Sequence, residues 1–161
     1  MTWAAKPSIL PADIPTGAQI KEILDRIEAL SNEVGISVAS VADTTTSATY
    51  VSFAGTSSVS ITKVQDATRL RVDLATTAFI ATSDSEGRFG VLVGGVDYDL
   101  VNWDASTLSD REGWGGFVYI PAAAVPAGVY TVQLRWRRVS GTGTLTRQTS
   151  DWISLSCREV G

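Results

Sequence analysis

Apolar residues along this chain follow two different periods, and the switch between them divides it. From Thr16 to Val34, TGAQIKEILDRIEALSNEV, the residues Ile20, Ile23, Ile27, Leu30 and Val34 recur at spacings of three, four, three and four. A seam that repeats every 3.5 residues predicts a coiled-coil helix, with Ile20, Ile27 and Val34 at a and Ile23 and Leu30 at d. Isoleucine at both levels leans toward three strands over two. Leu24 falls at e and widens the stripe. Thr16 with Gln19 has the form of a capping box, and Gly35 stands where a helix would stop. A free helix of this length is marginal in water, so the stripe needs a cover. Two covers are open, the protomer's own β domain or the same helix from other copies, and the strict spacing favours the second.

The segment before the helix, MTWAAKPSILPADIP, carries prolines at 7, 11 and 15, which deny it a regular helix or a central strand. It is expected to be extended. Trp3, Ile9, Leu10 and Ile14 make it apolar, and burying each would contribute about 1.5–3 kcal/mol. Such an arm needs a neighbouring copy or another protein to lie on.

After Gly35 the period becomes 2. RLRVDLA puts Leu70, Val72 and Leu74 on one face and Arg69, Arg71 and Asp73 on the other. VYTVQLRWRRV does the same with Tyr130, Val132, Leu134 and Trp136 against Gln133, Arg135 and Arg137. WISLSCRE closes the chain with Ile153, Leu155 and Cys157 together. AFIAT, SDSEG and RFGVLV read as a hairpin, and Gly94 with Gly95 as a bend before VDYDLV. The longest irregular stretch is Trp103 to Gly116, WDASTLSDREGWGG. Eight to ten short strands without an intervening helix predict a mainly β fold, an antiparallel β-sandwich that is jelly-roll-like, preceded by an extended arm and one N-terminal coiled-coil helix. The domains are then residues 1–15, an anchoring arm; 16–35, an oligomerising helix; and 36–161, the β-sandwich. The strand order is not fixed by the pattern.

Composition narrows the function. Thirteen basic and seventeen acidic residues give a net charge of -4, and there is no histidine. No dense basic stripe is present to displace counterions from duplex nucleic acid. The usual near-neutral acid and base and the commonest metal ligand are missing. Cys157 is the only cysteine, so no internal disulfide can form, and it reads as a small buried hydrophobe. No apolar run is long enough for a membrane span, and the first residues lack the form of a secretory signal, which predicts a soluble protein made in a cytoplasm.

The acids Asp97, Asp99, Asp104, Asp110 and Glu112 match no metal-loop spacing, and Asp97 with Asp99 reads as the wet side of a half-buried strand. Arg135, Arg137 and Arg138 around Trp136 have the composition of a single-strand nucleic-acid platform, but the alternation puts Trp136 on the opposite face from Arg135 and Arg137. Pairing with acids across a subunit contact is the preferred reading, solvation the other. Trp103, Asp104 and Trp114 form a candidate ligand loop suited to a glycan. No nucleophile has a base and no cofactor motif is present, so no enzyme activity is expected.

The opening MTWAAKPSILPADIPTGAQIKEILDRIEAL resembles that of small virion proteins of tailed phages of actinobacteria, where a Trp- and Pro-containing start precedes a T-x-A-Q helix. The closing AGVYTVQLRWRRVSGTGTLTRQTSDWISLSCREV is similar to the last strands of jelly-roll domains in phage head-decoration, head-fibre and tail proteins. The resemblance implies a homotrimer in the virion, assembled in the host cytoplasm, that decorates or stabilises the capsid. Trp3, Ile9, Leu10 and Ile14 would then anchor on the major capsid protein or another virion protein, and Ile20, Ile23, Ile27, Leu30 and Val34 would form the trimer seam. The competing function is a tail or fibre adhesin that uses the Trp103 to Trp114 loop on a host-surface glycan.

Overall fold

The computed structural model describes residues 17–31, 33–39, 42–55, 57–80, 85–104 and 112–161. One helix, α1 (Gly17–Ser31), is followed by eleven strands: β1 (Glu33–Ala39), β2 (Asp43–Thr45), β3 (Val51–Ser52), β4 (Ser58–Lys63), β5 (Arg69–Ile80), β6 (Glu86–Val93), β7 (Val96–Asp104), β8 (Glu112–Ile120), β9 (Gly128–Ser140), β10 (Leu145–Arg147) and β11 (Trp152–Val160). They form a six-stranded and a five-stranded antiparallel sheet.

The pairing has a simple logic. β6 pairs β7, β5 pairs β8, β4 pairs β9 and β1 pairs β11, so the chain is one long ribbon doubled back on itself. Winding that ribbon brings β11 beside β5 and β9 beside β6. The resulting orders, β1-β11-β5-β8 and β4-β9-β6-β7, are those of an eight-stranded jelly roll. The ribbon's tip is the Gly94–Gly95 turn between β6 and β7. Both glycines have positive φ, +60° and +84°, the two-residue geometry that matches strand twist. What the sequence suggests as a bend is therefore a tight hairpin.

The core lies between the sheets and follows the period-2 faces. Leu70, Val72 and Leu74 of β5, Val132, Leu134 and Trp136 of β9, and Ile153, Leu155 and Cys157 of β11 are all buried. Phe53 stacks on Trp136 with centroids 4.4 Å apart and on Phe89 at 5.8 Å. Arg147 is buried as well, with its guanidinium 5.0 Å from the Phe53 ring centroid.

Three expectations need correction. The helix ends at Ser31, so Val34 is not in its seam; it lies in β1 opposite Cys157 and packs on the core. Gly35 is a strand residue rather than a helix stop, and a Cβ there would sit 3.3 Å from Ser156 Cβ. The helix thus stops short of residue 35 and the sandwich starts before residue 36. β5 and β6 do not form a hairpin, because they belong to opposite sheets. β5 runs twelve residues through ATTAFI, held on both sides by β8 and β11. The stretch from Trp103 to Gly116 is strand at both ends, since β7 reaches Asp104 and β8 begins at Glu112, and residues 105–111 lie outside the described residues.

Candidate functional site

The helix carries the first candidate surface. Ile20, Ile23, Leu24 and Ile27 are 46%, 51%, 58% and 57% exposed. A protomer's own sandwich would cover them if it were their partner, and in the single chain it does not. Leu30 lies on the same helix, with its side chain outside the described residues, as do the whole of the arm (Trp3, Ile9, Leu10 and Ile14) and Thr16. Four half-exposed apolar side chains on one helix side are costly unless another surface covers them, each by about 1 kcal/mol, roughly half the value for full burial.

The second surface is the outward face of β1, β11, β5 and β8. Registers align its side chains in rows across four strands. One row runs Tyr119, Arg71, Arg158, Glu33, and the next runs Phe117, Asp73, Ser156, Gly35. The aromatic end is ordered by charge. Arg71 binds Asp73, with Nη2 donating to Oδ1 at 2.6 Å, and its guanidinium lies 4.5 Å from the Phe117 centroid. Arg69 lies 4.3 Å from the Tyr119 centroid, and the two rings meet edge to face at 5.5 Å. Phe117 is nevertheless 52% exposed and Tyr119 40%. Beyond Phe117 the side chains shrink to Ala75, Gly115, Ser154 and Ser156, leaving a shallow depression of about 400 Å³ with Phe117 as one wall.

Part of the opposite sheet's outer face is covered, while its Gly94–Gly95 end carries a second shallow depression lined by Leu92, Val129, Thr131 and Gln133. Tyr50 lies across the covered part, donating from its hydroxyl to Asp99 at 2.6 Å, while Arg137 sits 5.0 Å from its ring centroid. Arg135 Nη2 donates to Tyr50 O at 2.5 Å, and Arg88 donates to Asp99 and Asn102. Burial, then the Asp99 bond, push the Tyr50 phenol well above its usual pKa. The arginines expected to pair across a subunit contact are thus engaged within the protomer: Arg135 and Arg137 at Tyr50, and Arg138 at the Gly143 carbonyl. Trp136 is fully buried. Asp97 and Asp99 are exposed on the outer side of β7, as the alternation predicts.

Trp103 and Trp114 lie on strands of different sheets. Trp114 turns inward and packs against the core. Trp103 and Asp104 end β7, and their side chains, like all of Asp110, lie outside the described residues. Among the described residues no group of three or more Cys, Asp or Glu is placed to hold a metal ion, and no helix is long and apolar enough to cross a membrane. The Phe117–Tyr119 surface was missed by the sequence reading. Its signal was available: FVYIP alternates Phe117 and Tyr119 against Val118 and Ile120, and β5 presents Arg69 and Arg71 in the same rhythm.

No family model matches the chain, and neither does any curated protein. Among solved structures, it is similar to the infectious bursal disease virus VP2 subviral particle, with a TM-score of 0.44 and 10% identity over 80% of this chain and 38% of that one. A T=1 particle derived from infectious bursal virus gives 0.45 and 11% over 80% and 36%. Dimeric latent PorU from Porphyromonas gingivalis gives 0.39 and 11% over 82% and 13%. The chain therefore spans under two fifths of the length of each of these neighbours.

Proposed function

We propose that this protein is a structural component of a virus particle, a capsid decoration or stabilising protein that acts as a homotrimer and not as an enzyme. The observation that carries the reading is the uncovered stripe of Ile20, Ile23, Leu24 and Ile27 on α1. Self-association of three helices would bury it, and the isoleucine pattern suits three strands. A trimer can occupy a three-fold position of a capsid lattice with every subunit engaged alike. Three arms of residues 1–15, each binding weakly to the major capsid protein, would then act together, with avidity far above that of one arm. The lack of histidine in the whole chain fits a role in which binding, not turnover, is the task.

Sedimentation of the full chain at micromolar concentration tests the first step. Trimers are expected, and Ile23→Asn with Ile27→Asn should leave folded monomers. Trimers should then bind empty or expanded capsids and raise the temperature at which these break open. Monomeric wild-type protein would overturn the reading. So would trimers that ignore capsids but bind host-cell glycans, the behaviour of an adhesin.

A further inference from the structure

We infer that the interior of the sandwich contains a water-binding site at Arg147, in which buried water accepts from the guanidinium and donates to Asp43 and Asp151. The site lies at the end of the sandwich where β11 begins, away from α1, and it holds whether the chain is a monomer or a trimer.

Arg147 stands in β10 with 2% of its surface exposed, and among the described residues nothing accepts from its Nε–H or from its Nη1 hydrogens. A guanidinium stays charged at any ordinary pH, so its five N–H donors persist inside the fold. Burying such donors without acceptors costs more than a hydrogen bond contributes, so an acceptor is required. The flat face of the group is already used, since it lies 5.0 Å from the centroid of Phe53, whose ring stacks on Trp136. That contact leaves the N–H edges free, because they point outward in the plane of the group.

Two carboxylates stand nearby. Asp43 is opposite Arg147 in the pairing of β2 with β10, and residues so placed share a face. Burial lowers the pKa of the guanidinium, and the charges of Asp43 and then Asp151 act against that. Asp43 accepts the Thr44 and Ala54 N–H groups at 2.9 and 2.7 Å, and Asp151 accepts the Gln148 N–H at 2.6 Å and the Thr77 hydroxyl at 3.0 Å. Each carboxylate oxygen keeps a second lone pair beyond those bonds. The occupant must therefore accept from N–H and donate to carboxylate, which water does, and buried waters with about three such partners are regular parts of folded proteins. A halide could accept from Arg147 but would be repelled by both acids.

The test uses the full chain labelled with the heavy isotope of nitrogen. Through-space transfer from water should give the Arg147 Nε–H a cross-peak with the sign of water that tumbles with the protein. Its loss in Arg147→Lys assigns the peak, and through-bond correlation to the Arg147 amide assigns it if that variant does not fold. The peak should persist when chloride is replaced by sulfate, and it should weaken roughly twofold in Asp43→Asn or Asp151→Asn, where the water keeps fewer acceptors. No cross-peak at Arg147 would overturn the inference, as would a resonance that follows chloride concentration, the behaviour of a bound halide. A peak undiminished in both Asn variants would show that the acids take no part and that the bridge is wrong.

Discussion

Tyr50 lies so close over Gly90 that a Cβ at position 90 would come within 2.6 Å of its ring. The ring cannot easily move aside, because its hydroxyl is bound to Asp99 and its face to Arg137. Overpacking of a fixed contact typically costs about 1–3 kcal/mol. Gly90→Ala should therefore lower stability by that amount in urea denaturation. In a Tyr50→Ala background the same substitution should cost much less, since the obstruction is gone. Equal costs in the two backgrounds would show that the Tyr50 ring is not what constrains position 90.

Glu159 is buried, and its carboxylate accepts the Val64 and Gln65 N–H groups at 2.8 and 2.9 Å and the Thr68 hydroxyl. It ties the connection between β4 and β5 to the last strand. An amide in its place would turn an N–H group toward backbone donors, and buried donors left unsatisfied cost about 1–3 kcal/mol. Glu159→Gln should destabilise by that order and speed amide exchange at Val64 and Gln65, with little change in the β6–β7 hairpin. Uniform acceleration across the sandwich would contradict so local a role.

Cys157 is buried in the core, and burial first, then the charges of Asp73 and Glu33, push its thiol from 9.0 up to about 12. The sign follows from linkage. The unfolded thiol ionises first, so the stability tied to the neutral thiol is complete below pH 9 and is lost as pH rises toward 12. The urea midpoint of the wild type should fall between pH 9 and 11 more steeply than that of Cys157→Ala. A thiol reagent at pH 8 should label the denatured chain and spare the native one. Labelling of the native protein at the denatured rate would place the thiol at the surface.

Most of the sandwich was legible because one buried face per strand writes itself as alternation. Leu70, Val72 and Leu74 against Arg71 and Asp73 are the clearest case. Boundaries were harder where one signal served two elements. Val34 continues the helical spacing by coincidence, but its β-branched side chain and the pairing of Gly35 with Ser156 commit it to β1. SDSEG has the composition of a hairpin turn, yet turn residues serve equally for a crossing between sheets, and only tertiary pairing tells them apart. The candidate surfaces divided in the same way. The α1 stripe is local in sequence and was visible. The alternation of Phe117 and Tyr119 is local and visible, but their setting against Asp73 and Arg71 depends on the pairing of β5 with β8, which no local pattern carries. The contacts of Arg135 and Arg137 with Tyr50 were hidden for the same reason, since Tyr50 is distant in the chain.

The nesting of strand pairs around Gly94 and Gly95 also ranks the pairs by the length of loop each must close. The β6–β7 hairpin closes over two residues, and each outer pair then joins ends already drawn near, so loop-closure entropy is paid in instalments. β1 and β11, the outermost pair, join the residues farthest apart in sequence and so close the longest loop of the four.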